Sequence, residues 1–266
     1  MNILITGAAS GIGRATVLAF VRDARMRQED APRLVLADMN SAGLEETARL
    51  VDGQAETLTV TADLANAEEP KRLVDLVVKR FGGVDVIVSN AGILIPGSLR
   101  DLTIADYERT FAVNTRAAWL LGQAAVPHME GRGGAIVATA SIGAISPPPM
   151  IGAYGPSKAA LCALIQLMAQ EWGPLGIRSN SVSPGPTFTG MNQDVYSNPE
   201  ARRRREAAIP VGRLGAPEDI ADAIVFLSRP ESSFINGIDL PVDGGMLTTL
   251  LQASLPAGEA EVSRGQ

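Results

Sequence analysis

The sequence predicts an α/β fold in which a parallel sheet is covered by helices on both faces. Three observations lead there. Short apolar runs alternate with longer segments whose apolar residues recur at helical spacing. A glycine-rich turn joins the first run to the first of these segments. No linker divides the 266 residues, a length that suits one large α/β domain with an ample core.

The runs read as strands buried on both faces are Ile3 to Thr6, Leu34 to Ala37, Leu58 to Val60, Val84 to Val88, Ala135 to Ala140, Arg178 to Val182 and Ile238 to Val242. Helical spacing covers Ile12 to Val21, Leu44 to Val51, Pro70 to Phe81, Tyr107 to Met129, Ser157 to Trp172 and Pro217 to Leu227. The charged stretch Arg22 to Arg33 is long for a connection and reads as a solvated extension of the first helix. Sheets of this kind place their sites at the carboxyl ends of the strands, so the residues just after each strand carry the functional reading.

Composition narrows the function classes. Hydrophobic residues make up 46% and charged residues 20%, with a net charge of -6. That balance argues against a broad surface for nucleic acid or an anionic membrane. The single cysteine, Cys162, excludes an intrachain disulfide and a thiolate metal cluster, fits a reducing cytoplasm, and reads as a small core residue. Met1 leads directly into Ile3, Leu4 and Ile5 with no basic or long apolar leader, so no export signal is expected. No apolar run reaches the length of a membrane span.

After the first strand comes Thr6-Gly7-Ala8-Ala9-Ser10-Gly11-Ile12-Gly13. Glycines there let the backbone turn sharply and let a pyrophosphate approach the amides at a helix N-terminus. The spacing G-x-x-x-G-x-G differs from the usual G-x-G-x-x-G, and no nucleoside-triphosphatase loop is present. Asp38 ends the second strand, where it reads either as an ordinary turn residue or as a carboxylate that accepts from a ribose diol and repels a 2'-phosphate, which would favour NAD over NADP. Arg14 is the nearby cation that opposes this preference. Asp63, after the third strand, reads either as a contact to an adenine edge or as a cap on the next turn.

Ser89-Asn90-Ala91-Gly92 is an abrupt small-residue turn after the fourth strand, able to pass beneath a flat cofactor. Asn114 lies inside a helical pattern that asparagine suits poorly; it reads either as holding a water or a backbone distortion, or as a tolerated polar residue. His128, the lone histidine, reads as a surface or capping residue. Tyr154 and Lys158 stand four apart, so a helix beginning near Gly155 puts both on one face. An ammonium beside a phenol favours the phenolate, and Ser141 adds a hydroxyl that can aim at the same reacting oxygen. Taken alone, this pattern is weak and reads first as a surface Tyr and Lys.

Six motifs in order lift it above that reading: Thr6 to Gly13, Asp63 with Leu64, Asn90-Ala91-Gly92, Asn114, Ser141 with Tyr154 and Lys158, and Pro184-Gly185 followed by Thr187. With the closing Asn236-Gly237 and Val242 to Gly245, the chain resembles the short-chain dehydrogenase/reductase family from Asn2 to Gly245. The resemblance implies a single-domain Rossmann-like fold, doubly wound around a parallel sheet of about seven strands, within residues 1–250. It also implies hydride transfer between a nicotinamide and a carbonyl or alcohol carbon. Tyr154 would be the general acid/base. Lys158 would depress its pKa and bind the nicotinamide ribose, Ser141 would polarise the substrate oxygen, and Asn114 would hold a relay water. Gly7, Ser10, Gly11, Ile12, Gly13, Asp38, Asp63, Leu64, Asn90, Ala91, Gly92, Pro184, Gly185 and Thr187 would line the NAD site with Tyr154 and Lys158. Three departures stand out: Ser89 replaces the family's first asparagine, Pro156 falls between Tyr154 and Lys158, and the Arg22 to Arg33 extension precedes Asp38.

The substrate walls are expected at Ile93 to Ser98, Ile142 to Ile151, and Pro186 to Pro210 within a lid spanning 186–210. The first two hold Ile93, Leu94, Ile95, Ile142, Ile145, Met150 and Ile151 and no charge, which suits an apolar secondary alcohol or ketone better than a sugar or small acid. Arg202 to Arg205 read as a solvated helix face or as a dock for a phosphopantetheine arm. The second would make the protein an NADPH-dependent 3-oxoacyl thioester reductase; a non-catalytic nucleotide-binding regulator on the same fold is the remaining alternative. The two long helices, Tyr107 to Met129 and Ser157 to Trp172, resemble those through which the family forms dimers and tetramers, so a homotetramer is expected. Residues 251–266 are expected as a C-terminal tail that frays at its end.

Overall fold

The computed structural model describes residues 1–188 and 198–249. The tail at 251–266 and residues 189–197 of the expected lid lie outside the described residues. Seven strands form one sheet: β1 (Asn2–Thr6), β2 (Arg33–Asp38), β3 (Glu56–Thr61), β4 (Val86–Ser89), β5 (Gly134–Thr139), β6 (Ile177–Pro184) and β7 (Asp239–Val242). Every pairing is parallel, in the order β3-β2-β1-β4-β5-β6-β7. The chain therefore winds outward one way from β1 and returns to wind the other way from β4. The crevice between β1 and β4 is the topological switch point, where ligands of open α/β sheets bind.

Among the described residues the α-helices are α1 (Gly11–Arg27), α2 (Ser41–Leu50), α3 (Glu69–Phe81), α4 (Ile104–Phe111), α5 (Ala117–Met129), α6 (Tyr154–Trp172), α7 (Pro199–Ala207) and α8 (Pro217–Ser228). Alternating strand residues feed two cores. Leu4, Val35, Ile87 and Ile136 pack with Leu73, Leu121 and Ile165 of α3, α5 and α6. Ile3, Ile5, Leu34 and Val88 pack with Phe20, Leu44 and Ile224 of α1, α2 and α8. Each of these fully buried side chains contributes about 1.5–3 kcal/mol of transfer free energy, so both faces hold the sheet that aims the strand ends.

Two sequence expectations change. The segment Tyr107 to Met129 is not one α-helix. It starts earlier, at Ile104, where the Thr103 hydroxyl accepts from the Asp106 amide at 3.1 Å. It also passes through a π-helical turn, Ala112–Arg116, between α4 and α5. The extension after Val21 continues α1 only to Arg27, and Gln28 closes it in the left-handed region at φ 57°. Its outer face is solvated, but its inner face is stapled to the end of α8. Asp23 accepts from the buried Arg229 at 2.6 Å, and Arg22 and Arg27 pair with Asp222 and Glu231. The extension leaves the strand register intact: Thr6 pairs with Ala37, so Asp38 follows directly at the strand end.

Candidate active site

The turn after β1 is shaped by close approaches that only glycine permits. A Cβ on Gly13 would lie 1.9 Å from the Gly7 carbonyl oxygen, and one on Gly7, at φ +69°, would lie 2.7 Å from Asn90 Nδ2. Gly11 also has a positive φ, of 51°. Ser10, at the N-cap position of α1, makes no side-chain bond to the helix, and the first helical residues, Gly11, Ile12 and Gly13, follow it. Asn90 stitches this turn to the neighbouring strands. Its Nδ2 donates to the carbonyls of Thr6 at 3.1 Å and Gly7 at 3.4 Å, while its Oδ1 accepts from the Thr139 hydroxyl at 3.1 Å. Thr6 Oγ1 accepts from the amides of Asn90 and Ala91, both at 3.1 Å. Ser89 in place of asparagine leaves these bonds intact.

Asp38 stands at the end of β2 with its carboxylate held by two backbone amides, Ala9 at 3.1 Å and Asn40 at 3.0 Å. Arg14 turns to α2 instead. It donates to Thr47 Oγ1 at 3.0 Å, to the Ala9 carbonyl at 2.6 Å and to Glu46 at 2.7 Å. Beyond β3, Asp63 caps its own turn, accepting from the Ala65 amide at 3.0 Å, and its other oxygen pairs with Arg109 of α4 at 3.3 Å. Leu64 is buried in the core. The turn-cap alternative for Asp63 is thus seen directly, and Arg109 is a neighbour that the sequence reading missed.

Ser141, Tyr154, Lys158 and Asn114 come together across β5 and α6. The helix begins at Tyr154, so Pro156 sits in its first turn, where a missing N–H costs nothing. Ser141 hydrogen-bonds the Tyr154 phenol, and Ser141 Oγ accepts from the Gly143 amide at 3.0 Å. A Cβ on Gly143 would lie 3.3 Å from Ser141 Oγ and 3.9 Å from Tyr154 Cε1, so this glycine leaves the space beside both groups open. Lys158 Nζ lies 5.8 Å from the Tyr154 ring centroid and donates to the Thr139 carbonyl at 2.7 Å. Gly143 and Thr139 were not singled out from sequence, because their roles rest on a backbone amide and a backbone carbonyl.

Burial sets the electrostatics. It lowers Lys158 to about 8, against a small raising influence from Cys162. Burial also pushes the Tyr154 phenol above its ordinary value, and the Ser141 hydrogen bond only partly offsets it. In the protein alone, the nearby Lys158 does not reverse that rise. Cys162 packs half-buried against the core, its thiol raised by burial to about 11.

Asn114, in the π turn, spends its side chain on structure. Nδ2 donates to the Ile93 carbonyl and to Ser157 Oγ, both at 2.9 Å, and Oδ1 accepts from the Ile93 amide at 2.8 Å. The backbone distortion is the alternative realised at this position. Pro184 ends β6. Gly185 passes against Asp243, whose Cα would lie 2.6 Å from an added Cβ. Thr187 is buried and donates to the Gly185 carbonyl at 3.0 Å. Of the apolar walls, Ile93, Leu94, Ile95, Ile142 and Ile151 are half-buried, while Ile145 and Met150 are 55% and 62% exposed. Arg202 and Arg204 pair along α7 with Glu206 and Glu200, and Arg203 and Arg205 are exposed. His128 lies in the last turn of α5, apart from the Tyr154 cluster in the chain.

The residues fit a dinucleotide. The N-terminus of α1 lacks a side-chain cap beside three glycines, and a carboxylate stands at the end of β2. Gly92 forms a floor that a methyl group would fill, 3.2 Å from Lys158 Nζ and 3.4 Å from Asn114 Oδ1.

Comparison with known proteins agrees. A family model described as enoyl-(acyl carrier protein) reductase matches residues 7–247. The L-rhamnose 1-dehydrogenase (NAD(P)(+)) of Azotobacter vinelandii is 38% identical over 94% of this chain and 97% of its own length. The glucose 1-dehydrogenase of Gluconobacter oxydans is 34% identical over 92% of this chain and 91% of its own. The crystal structure of a 3-ketoacyl-(acyl-carrier-protein) reductase from Brucella melitensis, complexed with NADH, superposes with a TM-score of 0.82. That protein is 30% identical, over 92% of this chain and 97% of its own. With the sheet order, the glycine turn and the Ser141, Tyr154 and Lys158 cluster, these matches establish that the chain belongs to the short-chain dehydrogenase/reductase family of oxidoreductases.

Proposed function

We propose that the protein is an NAD-preferring dehydrogenase that interconverts a secondary alcohol and a ketone, with Tyr154 as general acid/base. The observation that carries this reading is the convergence of Ser141, Tyr154 and Lys158 beside the bare α-carbon of Gly92. When bound, the nicotinamide supplies or accepts the hydride. Tyr154 gives its proton to the carbonyl oxygen on reduction and takes one back on oxidation. Ser141 donates to the same oxygen where charge develops. Lys158, oriented by the Thr139 carbonyl, would bind the nicotinamide ribose. Asn114 holds the Gly92–Ile93 floor and retains one oxygen lone pair for a relay water. Gly11, Ile12 and Gly13 would bind the pyrophosphate, and Pro184, Gly185 and Thr187 the nicotinamide side.

The NAD preference is supported by the pinned Asp38 carboxylate and by Arg14, whose donors are engaged with α2. The apolar flank of Ile145, Met150 and Ile151 supports a substrate with an apolar group beside the reacting carbon. A homotetramer in the cytoplasm completes the proposal, its oligomeric part open to sedimentation analysis. Among the described residues, no helix is long and apolar enough to cross a membrane.

Two relatives favour a second substrate reading, since rhamnose and glucose dehydrogenases act on sugar hydroxyls. The acyl-carrier reductase favours a third, NADPH-dependent reduction of a 3-oxoacyl thioester. The test has two stages. Nicotinamide fluorescence titration with NADH and NADPH comes first, and tighter NADH binding is expected. Turnover is then compared across apolar secondary alcohols, L-rhamnose, D-glucose and an acetoacetyl thioester. Tighter NADPH binding with thioester turnover would overturn both the cofactor and the substrate assignments, and a Tyr154→Phe variant as active as wild type would overturn the mechanism.

A further inference from the structure

On the dinucleotide reading, the adenosine half must lie along the carboxyl ends of β1, β2 and β3. The pyrophosphate sits at the turn after β1 and the ribose at Asp38 after β2, so the purine base falls farther out, over the end of β3. Met39 follows Asp38 with its side chain 57% exposed. Arg109 reaches from the last turn of α4 so that its Nη2 lies 4.0 Å from Met39 Sδ. Both terminal nitrogens of Arg109 bear on one oxygen of Asp63, at 3.4 and 3.3 Å. Asp63 is itself fixed by the Ala65 amide at 3.0 Å. A planar cation and a polarisable thioether thus meet beside Asp63, whose chain neighbours Ala62 and Leu64 are buried. A second guanidinium, Arg116 of the π turn, bonds the Ala65 carbonyl and holds the β3 loop against the same helix.

We propose that Arg109 is a specificity-determining residue of the dinucleotide site: anchored by Asp63 and joined by Met39, its guanidinium forms the outer cover against which the adenine ring stacks. A guanidinium plane offers a π-face to a purine, a thioether offers a soft apolar contact, and neither demands a particular hydrogen-bond edge. The anchor matters because a guanidinium already held in place loses little rotamer freedom when a base arrives. Arg109 is 46 residues from Asp63 in sequence, so the pair exists only in the folded chain.

The experiment measures binding by nicotinamide fluorescence, with no substrate needed. The ligands are NADH, NADPH and the reduced dinucleotide in which cytosine replaces adenine, and the proteins are wild type, Arg109→Ala and Arg109→Lys. Arg109→Ala is expected to weaken NADH by about 3- to 30-fold and the cytosine dinucleotide by less than about 2-fold, since a smaller ring offers less stacking face. Arg109→Lys, which keeps charge without the plane, is expected to recover less than half of the loss. NADH affinity unchanged in Arg109→Ala would overturn the proposal, as would equal weakening of the adenine and cytosine forms. A loss confined to NADPH would also overturn it and make Arg109 a 2'-phosphate contact. If wild type binds none of the three ligands, the dinucleotide reading itself fails, an outcome distinct from all of these.

Discussion

The Lys158 ammonium donates to the carbonyl oxygen of Thr139 at 2.7 Å, tying the first turn of α6 to the last residue of β5. That bond orients a cation that burial makes costly, since Lys158 loses its proton near 8 in the fold and near 10.5 when unfolded. Between those values the unfolded chain binds more protons, so stability climbs as pH rises; below 8 the burial penalty is fully present. We therefore expect wild type to gain about 3 kcal/mol relative to Lys158→Met between pH 7.5 and 10.5. Urea unfolding at a series of pH values measures it. Parallel stability curves for the two proteins would mean that Lys158 is not destabilised by burial.

Tyr154 is expected to ionise above its ordinary pKa of about 10, because burial outweighs the Ser141 hydrogen bond. The chain has three tyrosines, so ultraviolet titration of wild type minus Tyr154→Phe isolates this phenol. Ser141→Ala removes a hydrogen bond that favours the phenolate, and it should push the value higher still. A difference signal that titrates below pH 10 would reverse the assignment of burial as the dominant influence. The same direction predicts that reduction runs at neutral pH while oxidation accelerates as pH rises.

Asn114→Ala removes every side-chain bond that holds the Ile93 peptide to the π turn. The expected loss is about 1–3 kcal/mol, with faster hydrogen exchange at the Ile93 amide. Unaltered exchange there would show that the turn after Asn90 does not depend on this clasp.

Two glycine variants should separate fold from function. Gly92→Ala places a methyl 3.2 Å from Lys158 Nζ while leaving the backbone unstrained, so the melting temperature should hold within a few degrees and turnover should fall about 10- to 100-fold. Gly13→Ala places one 1.9 Å from the Gly7 carbonyl, a clash with backbone that cannot yield, and soluble folded protein should be lost. Circular dichroism melts and activity assays on both variants make the comparison; a well-folded Gly13→Ala protein would refute the steric account of the turn.

The sequence by itself determined the strands, the two-faced burial, the glycine turn and the spacing of Tyr154 and Lys158, because these follow from local periodicity and from contacts four residues apart. It marked Asn114 as anomalous in a helix but left open what it did there. Only tertiary structure decided that, by bringing Ile93 and Ser157 to its side chain and converting the helix to a π turn. The same holds for Arg14, turned away from Asp38 by Thr47 and Glu46, and for Asp63, occupied by Arg109. It holds too for the direction of the Tyr154 shift: adjacency to a lysine suggests a lower pKa, whereas burial, a property of the whole fold, raises it against the Ser141 hydrogen bond. Contacts between residues far apart in the chain leave no period in the sequence, and desolvation depends on everything packed around a group, so neither is legible until the strands and helices are assembled.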